Sequence, residues 1–313
     1  MLIHTRPATT LMNRFTYPVK FAILGGLFLV VIGVLLYNLF LSLNQTILTA
    51  ERELDGLALI APISRMVQYL QQHRGLSAGH LGGNKELAAI RAEREQETAG
   101  AMQRVAQSLP LGMQQNADWQ EISRDWALIR THGLTWSISE NFDRHTALVN
   151  RLLTFQTTVA DAYGLTLDPE YGTYYLIDTA IQKLPRALEH LGQMRAFGVG
   201  ILTAKQASPD RLQMMLSLTD RFSEWLSFLT ENLRKTNQSN LAISQLLLQA
   251  SRDINEAGHR IIDIVKTDIF TGRFSISGNE YYRTTTDAID RGYSRLYDVL
   301  LPATETLLKE RVF

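Results

Sequence analysis

The sequence predicts an all-α protein: one transmembrane helix near the N-terminus, then an extended helical region of two stacked antiparallel four-helix bundles sharing long helices. Three observations predict it. Residues 21–50 contain no charged side chain, and the apolar run at 21–43 is long enough to cross a bilayer as a helix, which takes about 20 residues. Beyond that run, apolar residues recur every three or four positions over long stretches, with little Pro or Gly and almost no strand-like alternation. The composition, rich in Leu, Ala, Arg, Gln and Thr, favours helix throughout.

The flanks of the apolar run set its direction. Residues 1–20 carry Arg6, Arg14 and Lys20 and no acid, whereas Glu51, Glu53 and Asp55 follow the run closely. The excess of basic residues on one side puts residues 1–20 in the cytoplasm and residues 44–313 outside as a single sensor-sized domain. A cleaved signal peptide would have a shorter apolar core, roughly 7–15 residues, ending in an Ala-x-Ala-like site. No such site precedes Asn44.

The first helix is expected to continue to about Leu81, with Pro62 as a candidate bend. Gly82-Gly83 breaks it, and Asn84 is the expected N-cap of a helix over residues 85–109. The charges Arg91, Glu93, Arg94, Glu95 and Glu97 read as a solvated face laced with short-range ion pairs. Pro110 ends this helix, and further helices follow at about 118–130 and 140–165. Asp168-Pro169 is a start signal, with Asp as N-cap and Pro at the first helical position, for a helix reaching about 204 and disturbed at Pro185. Ser208-Pro209-Asp210 opens another, in which Leu212, Met215, Phe222, Leu226, Leu229 and Leu233 keep the helical period. It is expected to run to about 269 with a break at 237–240. A loop at 271–278 precedes a last helix containing Pro302.

Several functions are disfavoured. The formal net charge of +0 argues against a nucleic-acid partner. The absence of cysteine excludes disulfides and thiol chemistry. His73 and His80 have no third ligand at metal spacing, so no metal site is expected. With no phosphate-cradling glycine loop, nucleophile elbow or triad, neither an enzyme nor a cofactor is expected. Trp119, Trp126, Trp136 and Trp225 read as packing residues.

The unusual feature is a pair of arginines set into apolar stripes. Ile63, Val67, Leu70, Arg74, Ser77 and Leu81 fall on one helical line, with Gly75 and Gly79 beside Arg74. Ile177, Ile181, Leu184, Leu188, Leu191, Arg195, Gly198 and Leu202 repeat the pattern, with Gly192, Gly198 and Gly200 alongside. A guanidinium keeps its charge and must be paired when buried. Three partners are open: a small anion, carboxylate or inorganic, held between Arg74 and Arg195 with His73 and Ser77 in support; a carboxylate on a neighbouring helix, for which Asp161, Asp178, Glu189 and Asp263 are available; or bulk water. The interrupting glycines point to close approach or to space for something small.

The segment Gln71-Gln-His-Arg-Gly-Leu-Ser-Ala78 resembles the signature of the bacterial nitrate- and nitrite-sensing (NIT) domain. More widely, Leu167-Asp-Pro-Glu-Tyr-Gly-Thr-Tyr-Tyr-Leu-Ile-Asp178, Leu191-Gly-Gln-Met-Arg-Ala-Phe-Gly198 and Thr286-Asp-Ala-Ile-Asp290 are similar to sensor regions of chemoreceptors, diguanylate cyclases and histidine kinases. The resemblance implies a periplasmic helical sensor anchored in the bacterial inner membrane, often a homodimer, with Arg74 at the anion-binding position. It also implies a second membrane helix and an output domain after residue 313. His73 stands where the nitrate-sensing signature usually has glutamate. The competing reading is a membrane-anchored helical module that binds a partner protein and no small ligand.

Overall fold

The computed structural model describes Asn13, residues 15–239 and residues 243–312. Arg6, Arg14 and Asn240, the last residue of the expected break, lie outside the described residues, and residues 237–239 are helical. Among the described residues every regular element is helical. The chain divides into two compact units, one within residues 1–50 and the other Glu51–Arg311.

Helix α1 (Tyr17–Leu81) contains the charge-free run and carries Pro62 without interruption. Residues 21–46 are exposed along their whole length, so this segment is long and apolar enough to be a membrane span or a signal sequence. From Glu53 onward α1 turns Ile60, Ile63, Met66, Val67 and Leu70 into the core of the second unit.

The remaining helices are α2 (Leu87–Ser108), the short α3 (Leu111–Gln114), α4 (Ala117–His132), α5 (Ile138–Ala162), α6 (Tyr171–Asp178), α7 (Leu184–Ala204), α8 (Pro209–Ser239), α9 (Ser244–Ile264), α10 (Gly278–Arg295) and α11 (Leu301–Lys309). α7 lies against both α8 and α10, and α9 against the same two, closing a ring of four. α4 packs on α5.

Most boundaries follow local chemistry. Asn116, Ser137 and Ser277 each accept a hydrogen bond from a backbone N–H in the first turn of α4, α5 and α10. After α5 the chain turns through Gly164, whose φ of 86° is the left-handed conformation that glycine tolerates. Two expected caps sit elsewhere. Asn84 accepts from Glu86 N at 3.1 Å but lies before the Glu86 cap position of α2. Asp168 likewise accepts from Glu170 N at 2.7 Å, and α6 begins only at Tyr171. In both cases the side chain closes a local turn instead of the helix end, a competition open to every Asn and Asp.

The disturbance at Pro185 is a π-helical turn at Thr179–Lys183 immediately upstream. Proline donates no hydrogen bond to the carbonyl four residues back, that of Ile181. Gln156 Nε2 on α5 donates to that carbonyl at 3.0 Å, and Gln156 Oε1 accepts from Ser64 on α1. A second π turn, Leu296–Leu300, precedes Leu301-Pro302 in the same way. The charged face of α2 differs from expectation, because Arg91 is buried and turns inward to donate to Ser77 Oγ at 3.0 Å.

Close approach between α7 and α10 depends on Gly198, since a Cβ there would overlap the ring of fully buried Tyr281. Gly198→Ala is therefore expected to lower the urea midpoint, costing about 1–3 kcal/mol. Gly112→Ala, with no neighbour within 4 Å, should leave the midpoint unchanged.

Candidate functional site

Arg74 and Arg195 come together across α1 and α7. Arg74 is 2 % exposed and forms a forked ion pair with Glu189 of α7, Nη1 to Oε1 at 2.6 Å and Nη2 to Oε2 at 3.1 Å. Nη1 also donates to Thr146 Oγ1 on α5 at 2.8 Å, and the guanidinium lies 4.8 Å from the Phe142 ring centroid. Glu189 is fully buried and saturated: Gln71 Nε2 and Gln193 Nε2 donate to it at 2.9 and 2.7 Å. Tyr293 of α10 in turn donates to Gln71 Oε1 at 2.7 Å. This network joins α1, α5, α7 and α10 around one carboxylate, and charge-assisted bonds of this geometry are the strong kind.

Arg195 is placed differently. It donates to Thr286 Oγ1 at 2.8 Å and lies 5.1 Å from the Tyr282 ring centroid. Among the described residues no carboxylate comes within 4.0 Å of it. Burial lowers the affinity of this guanidinium for its proton, and the charge of Arg74 adds to the effect. An arginine stays protonated regardless, so this half-buried cation has only neutral direct partners, while Asp290 and Glu189 act on its charge from beyond 4.0 Å.

The two stripes interlock through their glycines. A Cβ on Gly192, the α7 glycine, would lie 3.2 Å from Arg74 Nη2, and one on Gly75 of α1 would lie 3.6 Å from Arg195 Nη2. The fit is tight at Gly192, where the missing side chain leaves room for Arg74, and at Gly75 a Cβ would make only ordinary contact with Arg195. Two cavities open beside them, of about 200 and 710 Å³. Gln71, Gly75, Gly192, Arg195 and Tyr282 line both. Arg74 lines the larger, whose wall contains no Asp or Glu, while Asp290 lines the smaller.

His73 and Ser77 line neither cavity. His73 Nδ1 is 2.9 Å from His145 Nε2, and His145 Nδ1 is 2.7 Å from the Asn141 carbonyl. A carbonyl only accepts, so His145 carries its proton on Nδ1, and His73 donates from its own Nδ1. Burial, then the neighbouring His145 and Arg91, depresses the His73 pKa to about 2; burial also depresses that of His145, to about 4. Both imidazoles are neutral near pH 7. Ser77 accepts from Arg91.

Tyr282, Thr286 and Asp290 were not among the residues singled out for the site. Their spacing of four on α10 places them on one face, a signal the sequence carries. Among the described residues no group of three or more His, Asp or Glu is placed to hold a metal ion.

The model of the NIT family, described as nitrate and nitrite sensing, matches residues 65–295. The chain belongs to the NIT family. The match contains both arginines, Glu189 and the α10 face, and no catalytic domain is matched beside it. Among solved structures, the NIT chain resembles one described as the structure of the NasR transcription antiterminator, with a TM-score of 0.58 and 14 % identity over 88 % of this chain and 75 % of that one. At that identity the likeness shows a shared fold. No curated protein matches.

Proposed function

We propose that this NIT domain senses nitrate or nitrite by binding the anion in the cavity between α1, α7 and α10. Arg195 would be the principal contact and Arg74 the second. The observation that carries this reading is Arg195 itself: a half-buried guanidinium with no carboxylate within 4.0 Å, beside a cavity whose larger part has no acidic wall. A planar oxyanion would accept two N–H bonds from its fork and offset the cost of a partly desolvated charge. Tyr282 and Thr286 would hold the guanidinium in place. His73 and Ser77 would act from behind, shaping the α1 surface without touching the ligand.

The wider architecture belongs to the same reading. Residues 21–43 would span the bacterial inner membrane with the N-terminus in the cytoplasm, and residues 44–313 would form the periplasmic sensor, as two stacked four-helix bundles and as a homodimer. Drawing α1, α7 and α10 onto one anion would shift these helices against each other, a packed-helix motion of the kind receptors transmit.

Titration calorimetry of the full chain in mild detergent tests the site. Nitrate or nitrite should bind, and Arg195→Ala should weaken binding by roughly 10–100-fold, the value of a hydrogen bond to a charged group. Unchanged affinity in a folded Arg195→Ala variant would sink the assignment.

The second reading, a membrane-anchored helical module with no small ligand, is favoured by the dry Arg74–Glu189 pair, which satisfies one arginine internally. It predicts no heat with any anion and capture of a specific protein by the helical surface.

A further inference from the structure

The cavity contains a feature that anion binding alone does not require. Of the two arginines in the larger cavity, one already has its counter-ion. Glu189 approaches Arg74 from within α7, occupies both Nη1 and Nη2, and is fixed by Gln71 and Gln193. It does not line either cavity. Arg74 therefore presents hydrogen-bond donors to the site without a net charge, while Arg195 presents a whole one. Arg94, in the wall of the smaller cavity, is paired with Glu97 at 2.5 Å. Asp290, in the same wall, makes no ion pair within 4.0 Å, and burial raises its pKa while Arg195 lowers it. Among the residues that line the larger cavity itself, Arg195 alone carries a charge with no ion-pair partner within 4.0 Å.

We infer that Glu189 is a built-in counter-ion that sets the site for a single monovalent oxyanion and excludes divalent ones such as sulfate. The inference rests on the proposed anion site and adds its charge selectivity. A monoanion brings the local sum to zero. A dianion leaves one negative charge in a poorly solvated interior, facing the Glu189 carboxylate across Arg74, and like charges there are costly. Without Glu189 the same cavity would carry two positive charges and match a dianion. Selectivity would then come from a residue that never touches the ligand, through repulsion of the wrong charge as much as attraction of the right one.

The test compares sodium nitrate with sodium sulfate at matched ionic strength, by calorimetry on the full chain in detergent. The wild-type chain should bind nitrate in clear preference to sulfate. Glu189→Gln, near-isosteric and uncharged, should gain sulfate affinity by about tenfold or more, since one charge a few ångströms away is worth that much in a screened interior. The paired variant Arg74→Gln/Glu189→Gln returns the count to one positive charge and should again prefer nitrate, with weaker affinity. It also serves if Glu189→Gln does not fold, because it leaves no charge unpaired. A folded Glu189→Gln with the wild-type preference, or a paired variant that binds both anions alike or neither, would overturn the inference. A wild-type chain that binds neither nitrate nor nitrite would overturn the proposed function, and this inference with it.

Discussion

Replacing Arg74 by alanine is expected to destabilise the folded chain by about 3–5 kcal/mol, the usual cost of leaving one member of a buried ion pair alone. Glu189 is fully buried, and without Arg74 it keeps only the two glutamine amides. Two neutral donors do not replace a guanidinium fork. The alanine also opens a void beneath Phe142, over which the guanidinium lies. Replacing both residues by apolar ones of similar size, Arg74→Met with Glu189→Leu, should cost well under half as much, because no charge is then stranded. Urea unfolding in detergent, followed by far-ultraviolet circular dichroism, separates the cases. Equal losses for the single and paired variants would show that packing, not charge, dominates here. Anion binding gives a second readout: the stable apolar pair should bind nitrate more weakly than wild type, since Arg74 donors line the cavity.

Much of this was legible in the sequence, for identifiable reasons. A helical stripe interrupted by an arginine and glycines is a local pattern, and the physics that makes it unusual is local as well. Arg74 and Arg195 could therefore be found by counting. Glu189 could be named only as one of four available acids, because choosing among Asp161, Asp178, Glu189 and Asp263 needs the rotation of one helix about another. In the structure Asp178 pairs with Lys183 at 3.2 Å, and Glu189 takes Arg74. His73 and Ser77 lie beside Arg74 in sequence, but turn to α5 and α2 respectively. His73, next to Arg74 in sequence, leaves the helix at a different angle, whereas Ser77 shares the Arg74 face but is taken by Arg91 of α2, so a short motif gathers residues with separate partners. Asp168 was misread as a cap because its turn chemistry is the same whether or not a helix follows at once. Its second role needed the far end of the chain.

That second role carries the other large prediction: Glu53→Gln should gain stability relative to the wild-type chain as pH rises from about 5 to 8. Glu53 on α1 is fully buried, with Oε2 3.4 Å from Arg311 Nη1 and Oε1 without a partner. Asp168 shares the same guanidinium, Oδ2 lying 3.0 Å from Nη1 and Oδ1 accepting from Nη2 at 3.1 Å. One cation thus faces two carboxylates, with Glu170 nearby adding to the negative charge felt by Asp168. Burial, and next the charge of Asp168, pushes the Glu53 pKa from 4.5 up to about 7, against a smaller pull from Arg311. Burial raises Asp168 as well. A carboxyl whose pKa is higher in the folded chain than in the unfolded one binds its proton more tightly when folded. Its stabilising contribution is complete below about pH 4.5 and is lost as pH rises through about 7. The shift corresponds to on the order of 2 kcal/mol, discounted because water reaches the Arg311 side of the cluster. Glutamine mimics the protonated acid at every pH, so the variant should match wild type at pH 5 and exceed it at pH 8 by about that amount. His73 and His145, depressed from 6.5 to about 2 and 4 by burial, resist a proton that the unfolded chain takes up below about pH 6.5, so they raise stability as pH increases through the lower part of this window; they are common to both chains and cancel in the difference. His190, whose pKa is lowered by burial, is common to both chains and cancels in the difference. Urea midpoints of both chains at pH 5 and pH 8 decide the matter: a difference between the chains that does not change with pH, or a Glu53→Gln chain weaker than wild type at pH 8, would mean that Arg311 holds both carboxylates ionised and that the cluster is a plain salt bridge.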